Sequence, residues 1–421
     1  MADDLNYAVT VNSEGKLSYP ENFISTNNIA QFGNDVSGIL KDLTLDGVSK
    51  VRIYDKKTKT WTDTYNYVYL AQTEDGVVAL AVSDNYPVNA WKIKGSNGKT
   101  YDNIQTAIDE VEAAGGGEVW IAAGTYKNGA PLTMKNNVAI YGGFAGTETS
   151  KDQRVEGNET ILDGEGKYRV FNNDYTKDNP LTNSAKLDNV TIQNASGGGM
   201  YNYYASPEIT NCTFTGNSAK YGGGMYNNEN SSPMLTNCTF SGNSASSDGG
   251  GMCNWYSSPV LTNCTFSNNS ATGNYSYGGG MANYGTSARP VLTNCTFSGN
   301  SASRDGGGMH NRDSWSPTLT NCILWGNTAS SRGNEIYNND STTTIDTCII
   351  KGGYSDGGTN IITADPLLQP LADNGGYVET CAVAEGSSAI GAGKVVEGVT
   401  TDARGVARSS TPTIGAYEYT N

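Results

Sequence analysis

The sequence predicts an all-β protein built around a parallel β-solenoid, and three features support this prediction. One stretch, LTNCTFSGNSASSDGGGM at 235–252, returns several times almost unchanged. Within each copy, apolar residues alternate with polar ones over short runs, as they do in short strands. Asn, Gly and Ser separate these runs and are typical of bends. Internal repeats of this kind indicate units that stack on one another. One cysteine per copy marks the period, at Cys212, Cys238, Cys264, Cys295, Cys322 and Cys348.

The repeats also predict which side chains point into the solenoid. A copy of about 26 residues with three short strands fits one turn, and neighbouring turns lie about 4.8 Å apart. The triple glycines supply the backbone freedom that a tight corner needs. Three inward columns are predicted, consisting of Ile209, Leu235, Leu261, Leu292, Leu319 and Ile345; of Phe214, Phe240, Phe266 and Phe297; and of Met200, Met225, Met252, Met281 and Met309. Two further columns are asparagine, and stacked amides are expected to form a hydrogen-bonded ladder at Asn211, Asn237, Asn263, Asn294 and Asn321, with the second column at Asn202, Asn227, Asn254, Asn283, Asn311 and Asn338.

The cysteine column is predicted to be a row of small, buried, reduced thiols. It lies between the Leu and Phe columns, and an earlier, divergent copy has Val190 in its place. Disulfides between neighbouring turns are the alternative, because a Cα separation of about 4.8 Å permits a bridge. Parallel side chains, however, hold the Cβ atoms slightly too far apart for an unstrained one. One thiol per turn provides no tetrahedral zinc site. Cys253 replaces the outward Tyr226 and is expected to be exposed, whereas Cys381 lies outside the array.

The segments that flank the repeats predict additional structure at both ends. An amphipathic helix is expected from Asp102 or Asn103 to Ala114, where it would cover the first turn. Residues 1–92 alternate strongly and contain Asp-Gly turns, which predicts a small antiparallel β domain. Residues 93–365 are assigned to the β-helix and residues 366–421 to a C-terminal capping region.

The bulk composition argues against several classes of function. The formal net charge is −15, whereas nucleic acids and anionic membranes bind clustered Lys and Arg, so neither partner is expected. No run of about 18 apolar residues is present, which predicts no membrane-spanning segment. The first residues, MADD, make a poor start for a signal peptide. The single histidine, His310, argues against histidine-centred catalysis.

Three parts of the chain resemble known families. GGGM followed by F-x-x-N (214–217, 240–243, 266–269 and 297–300) is similar to the repeats of polymorphic outer-membrane proteins, which have GGA followed by Ile or a similar residue at the glycine motif. NIQTAIDEVEAAGGGEVWIAAGTY and IYGGFAGTET resemble the first coils of secreted bacterial right-handed β-helix proteins. DPLLQPLADNGGYVET and TDARGVARSSTPTIGAYEY resemble the C-terminal region of choice-of-anchor Q proteins.

Together these resemblances extend over roughly residues 100–421. They imply a right-handed parallel β-helix that is exported or displayed at the cell surface, commonly as an adhesin. The chain shows neither the translocating β-barrel nor an anchor of such families, so the resemblance predicts no particular mode of export or attachment.

Acidic residues on neighbouring turns are the main candidates for chemistry, because glycoside hydrolysis uses paired carboxylates. Asp248 and Asp305 share a column but are predicted to lie two turns apart, with Tyr277 between them. Asp313 and Asp340 alone fall on adjacent turns. This pair permits a catalytic or Ca²⁺ site, but a solvated loop edge is the simpler interpretation. The residues near the pair are Arg312, His310 and Trp315.

Large aromatic residues gather in the loops after the second asparagine column. Rings along one edge of a solenoid are able to stack on sugar faces or to contact a partner, although tyrosine is also common on ordinary surfaces. The outward Thr and Ser residues beside the Phe column are explained by ordinary β-propensity. The alternative is a flat Thr and Ser lattice that orders water, as in ice-binding solenoids. The aromatic candidates for binding are Tyr203, Tyr204, Trp255, Tyr256, Tyr284 and Trp315.

The sequence therefore predicts an extracellular or cell-surface β-helix protein with a structural or adhesive function. No catalytic residue, cofactor or metal is predicted. Two alternatives stay open: a subunit of an extracellular fibre that assembles head-to-tail through its terminal domains, and a polysaccharide-binding or polysaccharide-degrading β-helix enzyme. The expected partners are accordingly a second copy of the chain, or glycans of a cell or host surface.

Overall fold

The computed structural model describes residues 91–286, 289–313 and 317–420, together with six short strands within residues 1–90. The chain divides into two compact units, Met1–Ala90 and Trp91–Asn421. The described strands of the first unit form three antiparallel pairs: Thr10–Val11 with Leu17–Ser18, Ile53–Asp55 with Thr60–Thr62, and Val68–Thr73 with Gly76–Ala81. The rest of the β domain that the sequence predicts over 1–92 lies almost entirely outside the described residues.

The second unit is a right-handed parallel β-helix of about seven turns, which confirms the predicted fold class. Three long sheets run the length of the helix, and a fourth, shorter sheet joins them. We name these sheets 1 to 4 in the order in which the chain meets them within one turn, and we number the turns 1 to 7 by their strands in sheet 4. Sheet 3 was not predicted. It is formed by the residues between the F-x-x-N motif and the glycine run, as in Ser244–Asp248.

The strands of each sheet follow one another along the helix axis. Sheet 1 contains Thr100–Tyr101, Ile93–Gly95, Gly117–Ala122, Val138–Phe144, Lys186–Asp188, Glu208–Thr210, Met234–Thr236, Val260–Thr262, Val291–Thr293, Thr318–Thr320 and Thr344–Asp346. Sheet 2 contains Gly124–Tyr126, Thr160–Asp163, Thr191–Gln193, Thr213–Thr215, Thr239–Ser241, Thr265–Ser267, Thr296–Ser298, Ile323–Trp325 and Ile349–Ile350. Sheet 3 contains Ser218–Tyr221, Ser244–Asp248, Ser270–Ala271, Ser301–Ala302 and Thr328–Ala329. Sheet 4 contains Phe171–Asp174, Met200–Tyr203, Met225–Asn228, Met252–Trp255, Met281–Tyr284, Met309–Arg312 and Ile336–Asn339.

The interior of the β-helix is filled by the predicted columns. The Leu, Cys, Phe and Met columns are all buried in one continuous core. Rings of the Phe column stack face to face, with centroids 4.6 Å apart between Phe214 and Phe240 and 4.7 Å apart between Phe240 and Phe266. Burial of each such side chain contributes roughly 1.5–3 kcal/mol. The in-register stacking of identical turns therefore produces a core without gaps between layers.

All eight cysteines are free and buried. In the repeated column each thiol lies near the carbonyl oxygen two residues earlier, as Cys238 Sγ does at 3.4 Å from the Thr236 oxygen. The prediction of buried, unbridged thiols agrees with this arrangement. The expectation that Cys253 is exposed is wrong. Cys253 does point outward from sheet 4, but Tyr221, Tyr226, Trp255 and Tyr284 cover it.

Three ladders of asparagine side chains run along the helix, one more than the sequence predicts. In the first ladder, each side-chain Nδ2 donates to a residue one turn earlier. The donors are Asn211, Asn237, Asn263, Asn294 and Asn321. In the second, Asn173, Asn202, Asn227, Asn254, Asn283 and Asn311 each donate to the next turn. The third consists of the last residue of each F-x-x-N motif and continues to Asn327: Asn217, Asn243, Asn269, Asn300 and Asn327.

Each ladder ends on a carboxylate at its donor end. The first ends where Asn211 donates to Asp188, the second where Asn338 donates to Asp356 and to the Tyr354 hydroxyl, and the third where Asn327 donates to Glu335. A row of amides that all donate in one direction leaves one donor without an amide acceptor at its end. A carboxylate, which only accepts when ionised, is a suitable partner for that last donor.

The glycine run forms the corner between sheets 3 and 4. Its first glycine has a positive φ in each turn, as at Gly249 with φ 69°. A Cβ placed on Gly249 would lie 2.3 Å from the Met252 carbonyl oxygen, so a larger residue does not fit. The chain therefore turns sharply here, between sheets 3 and 4.

Both ends of the β-helix are covered. Helix α1, Ile104–Ala113, begins at the predicted cap Asn103, whose side chain accepts the Thr106 amide, and buries Ile104, Ile108 and Val111 in the core. At the other end, residues 351–365 return over the last turn, with bridges from Asp346 to Thr359 and from Ile349 to Ile362. A short 3-10 helix, Lys151–Gln153, lies between turn-1 strands of sheets 1 and 2.

Residues 366–421 lie along the side of the β-helix, against the outer face of sheet 2. They contain one antiparallel pair, Leu368–Ala372 with Thr380–Val383. Thr239 Oγ1 in turn 4 donates to the Glu379 oxygen, and Thr296 Oγ1 in turn 6 accepts from the Ala416 amide. Ile323 and Ile349 pack on Val383, Ala389 and Ile414. This region covers the Thr and Ser residues of sheet 2 from turn 4 onward, and the capping role assigned to 366–421 stays a prediction.

Candidate functional site

The outer face of sheet 4 carries the predicted aromatic residues. The first and third residues of each strand point inward as the Met and Asn columns, so the second and fourth point outward. In turns 2 to 7, the residue after the sheet-4 strand begins the following loop with a positive φ, as in Tyr204 at 47° and Tyr256 at 51°. At the corner, the end of sheet 3 adds a further column: Tyr221, Asp248, Tyr277, Asp305 and Arg332.

These columns form one continuous strip of rings from turn 2 to turn 7, which we call the aromatic strip. Each of its rings has its centroid within 6.4 Å of another ring of the strip. Trp255, for example, lies 5.1 Å from Tyr284 and 6.4 Å from Tyr256. Five turn spacings give the strip a length of roughly 24 Å. Its members are Tyr201, Tyr203, Tyr204, Tyr221, Tyr226, Trp255, Tyr256, Tyr277, Tyr284, His310 and Tyr337.

Two small residues shape the middle of the strip. Cys253 and Ala282 occupy outward positions where turns 3 and 7 have Tyr226 and Tyr337. The space above them is filled by Tyr284, which is only 8% exposed. Tyr284, which the sequence predicts as a binding candidate, is therefore buried among the other rings. The Tyr284 ring supports the Trp255 ring, which packs against it.

Tyr256 is the most accessible ring of the strip. It is 40% exposed, and its ring lies over Gly285, where an added Cβ would approach the ring carbons to 2.5 Å. The glycine in turn 5 thus makes room for this ring. Tyr203 and Tyr204, in perpendicular contact at 4.9 Å, end the strip at turn 2 and are both partly exposed.

Basic side chains line the sheet-3 edge of the strip. Arg169 lies over Tyr201, Lys220 over Tyr221 and Arg332 over Tyr337, with the cation 4.4–5.2 Å from the ring centroid. Such contacts fix the ring and the cation relative to one another.

Titratable groups lie buried under the strip near turns 4 to 6. Burial raises the pKa of the Asp248 carboxyl, although the Tyr277 amide donates to it at 3.1 Å. Burial also raises the pKa of the neighbouring Tyr284 hydroxyl. His310 is 1% exposed, and burial lowers its pKa to about 4, so the ring is neutral near pH 7. Its Nδ1 has no hydrogen-bond partner among the described residues.

Asp248 and Asp305 lie two turns apart in one column, as predicted. Burial opposes the charge of Asp305, but hydrogen bonds from Arg332 at 2.9 and 3.2 Å leave its pKa below its ordinary value. A raised and a lowered carboxyl roughly 9.6 Å apart resemble an acid and base pair. However, both carboxylates are buried. Arg332 already binds the Asp305 carboxylate, and the rings of Tyr277 and Tyr284 fill the space beside Asp248. The arrangement supports packing of the strip more directly than it supports catalysis.

The predicted acidic pair is present on adjacent turns but does not form a closed site. Asp313 and Asp340 both have positive φ and are exposed. Asp313 Oδ2 lies 3.5 Å from Arg312 Nε, so one of the two carboxylates is already paired. Trp315 lies outside the described residues. Within the described part of the chain, no group of three or more His, Cys, Asp or Glu side chains is arranged to hold a metal ion.

Comparisons with known proteins concern the fold. A family model described as a right-handed β-helix region matches residues 179–284. The structure of pectate lyase Pel9A is similar at 12% identity, covering 77% of this chain and 92% of that one, with a TM-score of 0.40. The A-module of mannuronan C-5 epimerase AlgE4 from Azotobacter vinelandii is similar at 16% identity, 62% and 87% coverage and a TM-score of 0.26. A structure assigned as a glycosyl hydrolase from Parabacteroides merdae has 12% identity, 61% and 94% coverage and a TM-score of 0.17. No curated protein matches the chain.

The sequence identified five residues of the aromatic strip and missed the others. Tyr203, Tyr204, Trp255, Tyr256 and Tyr284 were predicted as a group because they follow the asparagine column. The missed rings occupy the second position of sheet 4 and the end of sheet 3. The signal for Tyr201, Tyr226 and Tyr337 was available, since each stands one residue before an Asn of the second ladder.

Among the described residues, no helix is long and apolar enough to cross a bilayer.

Proposed function

We propose that this chain is an extracellular glycan-binding protein with an adhesive or structural role. The observation that supports this proposal is the aromatic strip, an unbroken row of rings along the helix axis with basic residues on one edge. Aromatic faces stack on the apolar faces of sugar rings, while hydroxyl and basic groups beside them satisfy the sugar hydroxyls. The row repeats at about 4.8 Å per turn, a spacing close to the length of one unit in an extended glycan.

The strip suits binding because its rings are held in place before any ligand arrives. Trp255 is packed against Tyr221, Tyr256 and Tyr284, and Tyr256 is seated on Gly285. Little side-chain freedom would be lost on binding, which favours affinity. A glycan laid along several turns would contact several such rings at once, and an adhesin requires this kind of extended contact.

The proposal is tested by binding to an array of oligosaccharides. Trp255→Ala and Tyr256→Asn should each reduce binding by about tenfold, by analogy with base stacking on one aromatic ring, which is worth on the order of 1–3 kcal/mol. Asn is chosen at 256 because it tolerates the positive φ. Tyr377→Ala is the matched control, because Tyr377 is similarly exposed but belongs to the C-terminal region. Unchanged binding by both strip variants would refute the proposal.

An enzymatic role is the second candidate, and the column of Asp248 and Asp305 favours it. Cleavage of any bound polysaccharide, measured as new chain ends, is expected to be absent. If chain ends did accumulate and Asp248→Asn prevented this, the acid with the raised pKa would be the proton donor, and the protein would be a glycan-cleaving enzyme.

A further inference from the structure

A cavity of about 640 Å³ lies beside the turn-2 end of the aromatic strip. Its walls come from the loop that precedes turn 2 and from the bends after the sheet-4 strands of turns 2 and 3. Tyr204 belongs both to the strip and to the wall of this cavity. A chain of sugar units that follows the strip toward turn 2 would therefore lead directly into it.

The lining of the cavity is largely apolar but carries one charge and several hydroxyl and amide groups. Lys177 is the single charged side chain among its described lining residues, and no carboxylate contributes to the wall. Lys177 is exposed and forms no ion pair within the described part of the chain. The other groups that supply hydrogen bonds are Thr182, Asn183, Ser206, Asn230 and Ser232. Hydroxyls and amides of this kind match sugar hydroxyls, and the ammonium group matches an anionic substituent.

The wall is held rigidly rather than formed on binding. Asn136 Oδ1 accepts the Thr182 amide at 2.8 Å, and Asn136 Nδ2 donates to the Pro180 oxygen at 3.0 Å. The Leu181 amide donates to the Tyr204 oxygen, and the Ser206 amide returns to the Leu181 oxygen. Leu181 itself is buried. A preformed cavity of this size falls in the range of small-ligand sites, which span roughly 300–1,000 Å³.

We infer that this cavity is a subsite for an acidic sugar, with the Lys177 ammonium against its carboxylate or sulfate and the Tyr204 ring against its face. The inference rests on the proposed glycan-binding function, because the remaining units of the glycan lie on the aromatic strip. It adds a direction and a chemical preference to that function: the chain end, or an acidic unit near it, is held at turn 2.

The test uses an array of uronic-acid and sulfated oligosaccharides, each beside its carboxyl-reduced or desulfated counterpart. The wild-type protein should prefer the acidic member of a pair by about tenfold, which corresponds to about 1.4 kcal/mol. Lys177→Gln should abolish this preference, so that the acidic and neutral members bind equally. Lys167→Gln, at another exposed lysine outside the cavity, is the matched control and should keep the preference. Tyr204→Asn, which accepts the positive φ, should weaken both members.

The outcomes separate this inference from the function on which it rests. Equal binding of acidic and neutral members by the wild-type protein overturns the acidic subsite, and so does a preference that survives Lys177→Gln. In either case, if Trp255→Ala still reduces binding, the strip remains a glycan site. Absence of binding to every oligosaccharide of the array overturns both.

Discussion

Glu335 is a single residue whose ionisation is coupled to the stability of the β-helix. It replaces the last glycine of the corner in turn 7 and ends the third asparagine ladder, accepting from Asn327 at 2.5 Å. Its Oε1 has no hydrogen-bond partner in the described structure. Burial raises the pKa of Glu335 from 4.5 to about 7. The folded chain therefore holds a proton that the unfolded chain releases between these values.

The first prediction concerns this proton. Because the pKa of Glu335 is higher in the folded state, its contribution to stability is present below pH 4.5 and is lost as the pH rises to about 7. The loss amounts to roughly 3 kcal/mol. Glu335→Gln retains an acceptor for Asn327 and removes the titration. The stability of Glu335→Gln relative to wild type, from urea unfolding, should therefore increase between pH 4.5 and 7. A constant difference across this range would contradict the prediction.

His310 makes the opposite contribution in an overlapping range. It is the neutral form that is buried between Tyr277 and Tyr337, and burial lowers its pKa from 6.5 to about 4 although Asp305 lies nearby. Its contribution to stability is thus complete above pH 6.5 and is lost as the pH falls toward 4, by roughly 3 kcal/mol. His310→Phe keeps the stacked ring and should gain stability relative to wild type on acidification. Unfolding curves at pH 4.5 and 7 provide the measurement, and an equal effect at both pH values would contradict it.

At the residue scale, the sequence predicted positions governed by the repeat and failed where one turn departs from it. The inward Phe and Cys columns follow from alternation and period alone. The exposure of Cys253 and Tyr284 depends on neighbours in adjacent turns, since the small residues at 253 and 282 leave a hollow that Tyr284 fills. Such compensation between turns is visible only when the register of their side chains is known.

At the element scale, the C-terminal region is attached to the β-helix by a buried network of charges. Asp402, Arg404, Arg408 and Glu418 are all nearly inaccessible, and Arg408 Nη1 lies 3.3 Å from Glu418 Oε2. Arg408 Nη2 also donates to Asn263 Oδ1 at 2.9 Å, in the first asparagine ladder. One guanidinium thus links the region to the side of turn 5.

Removing this guanidinium should loosen the region without unfolding the β-helix. Arg408→Ala leaves the Glu418 carboxylate buried without its partner, at a cost of about 3–5 kcal/mol. Hydrogen exchange measured by mass spectrometry should become faster over residues 379–416 and stay slow in the sheet-1 strands. Arg312→Ala is the control, because Arg312 is exposed and should change neither. Unaltered exchange over 379–416 in Arg408→Ala would show that the network does not hold the region.

Elements with a local signal were predicted well, and elements fixed by distant contacts were not. The N-cap Asn103 and the apolar face at 104, 108 and 111 identify helix α1 within ten residues of sequence. The path of residues 366–421 has no periodicity to reveal it. Its contacts, such as Thr239 with Glu379, join positions 140 residues apart. Sheet 3 was missed for another reason, because its strands are short and rich in Ser, which is typical of bends.

At the scale of the whole molecule, the covered ends decide whether the β-helix is able to grow. A parallel sheet presents unpaired backbone groups and core side chains at each end, and these would bind a further turn. Here α1 lies over the first turns and residues 351–365 over the last, so stacking the first turns of one β-helix on the last turn of another requires both covers to move. Assembly into a fibre through these two ends would therefore need the loss of both covers.

The last prediction follows from this: Ile108→Asp should make the β-helix associate through its uncovered first turns. Ile108 is fully buried under α1, and a carboxylate there would force the helix off the core, because an unpaired buried charge is too costly to retain. The first turns are then free to contact the same turns of another copy, and such a contact between like surfaces closes into a dimer. Sedimentation velocity should show mass increasing with concentration for Ile108→Asp but not for Glu112→Gln, on the exposed face of the same helix. A monomer in which hydrogen exchange shows α1 released would contradict the capping role, because the uncovered turns would then have no tendency to associate.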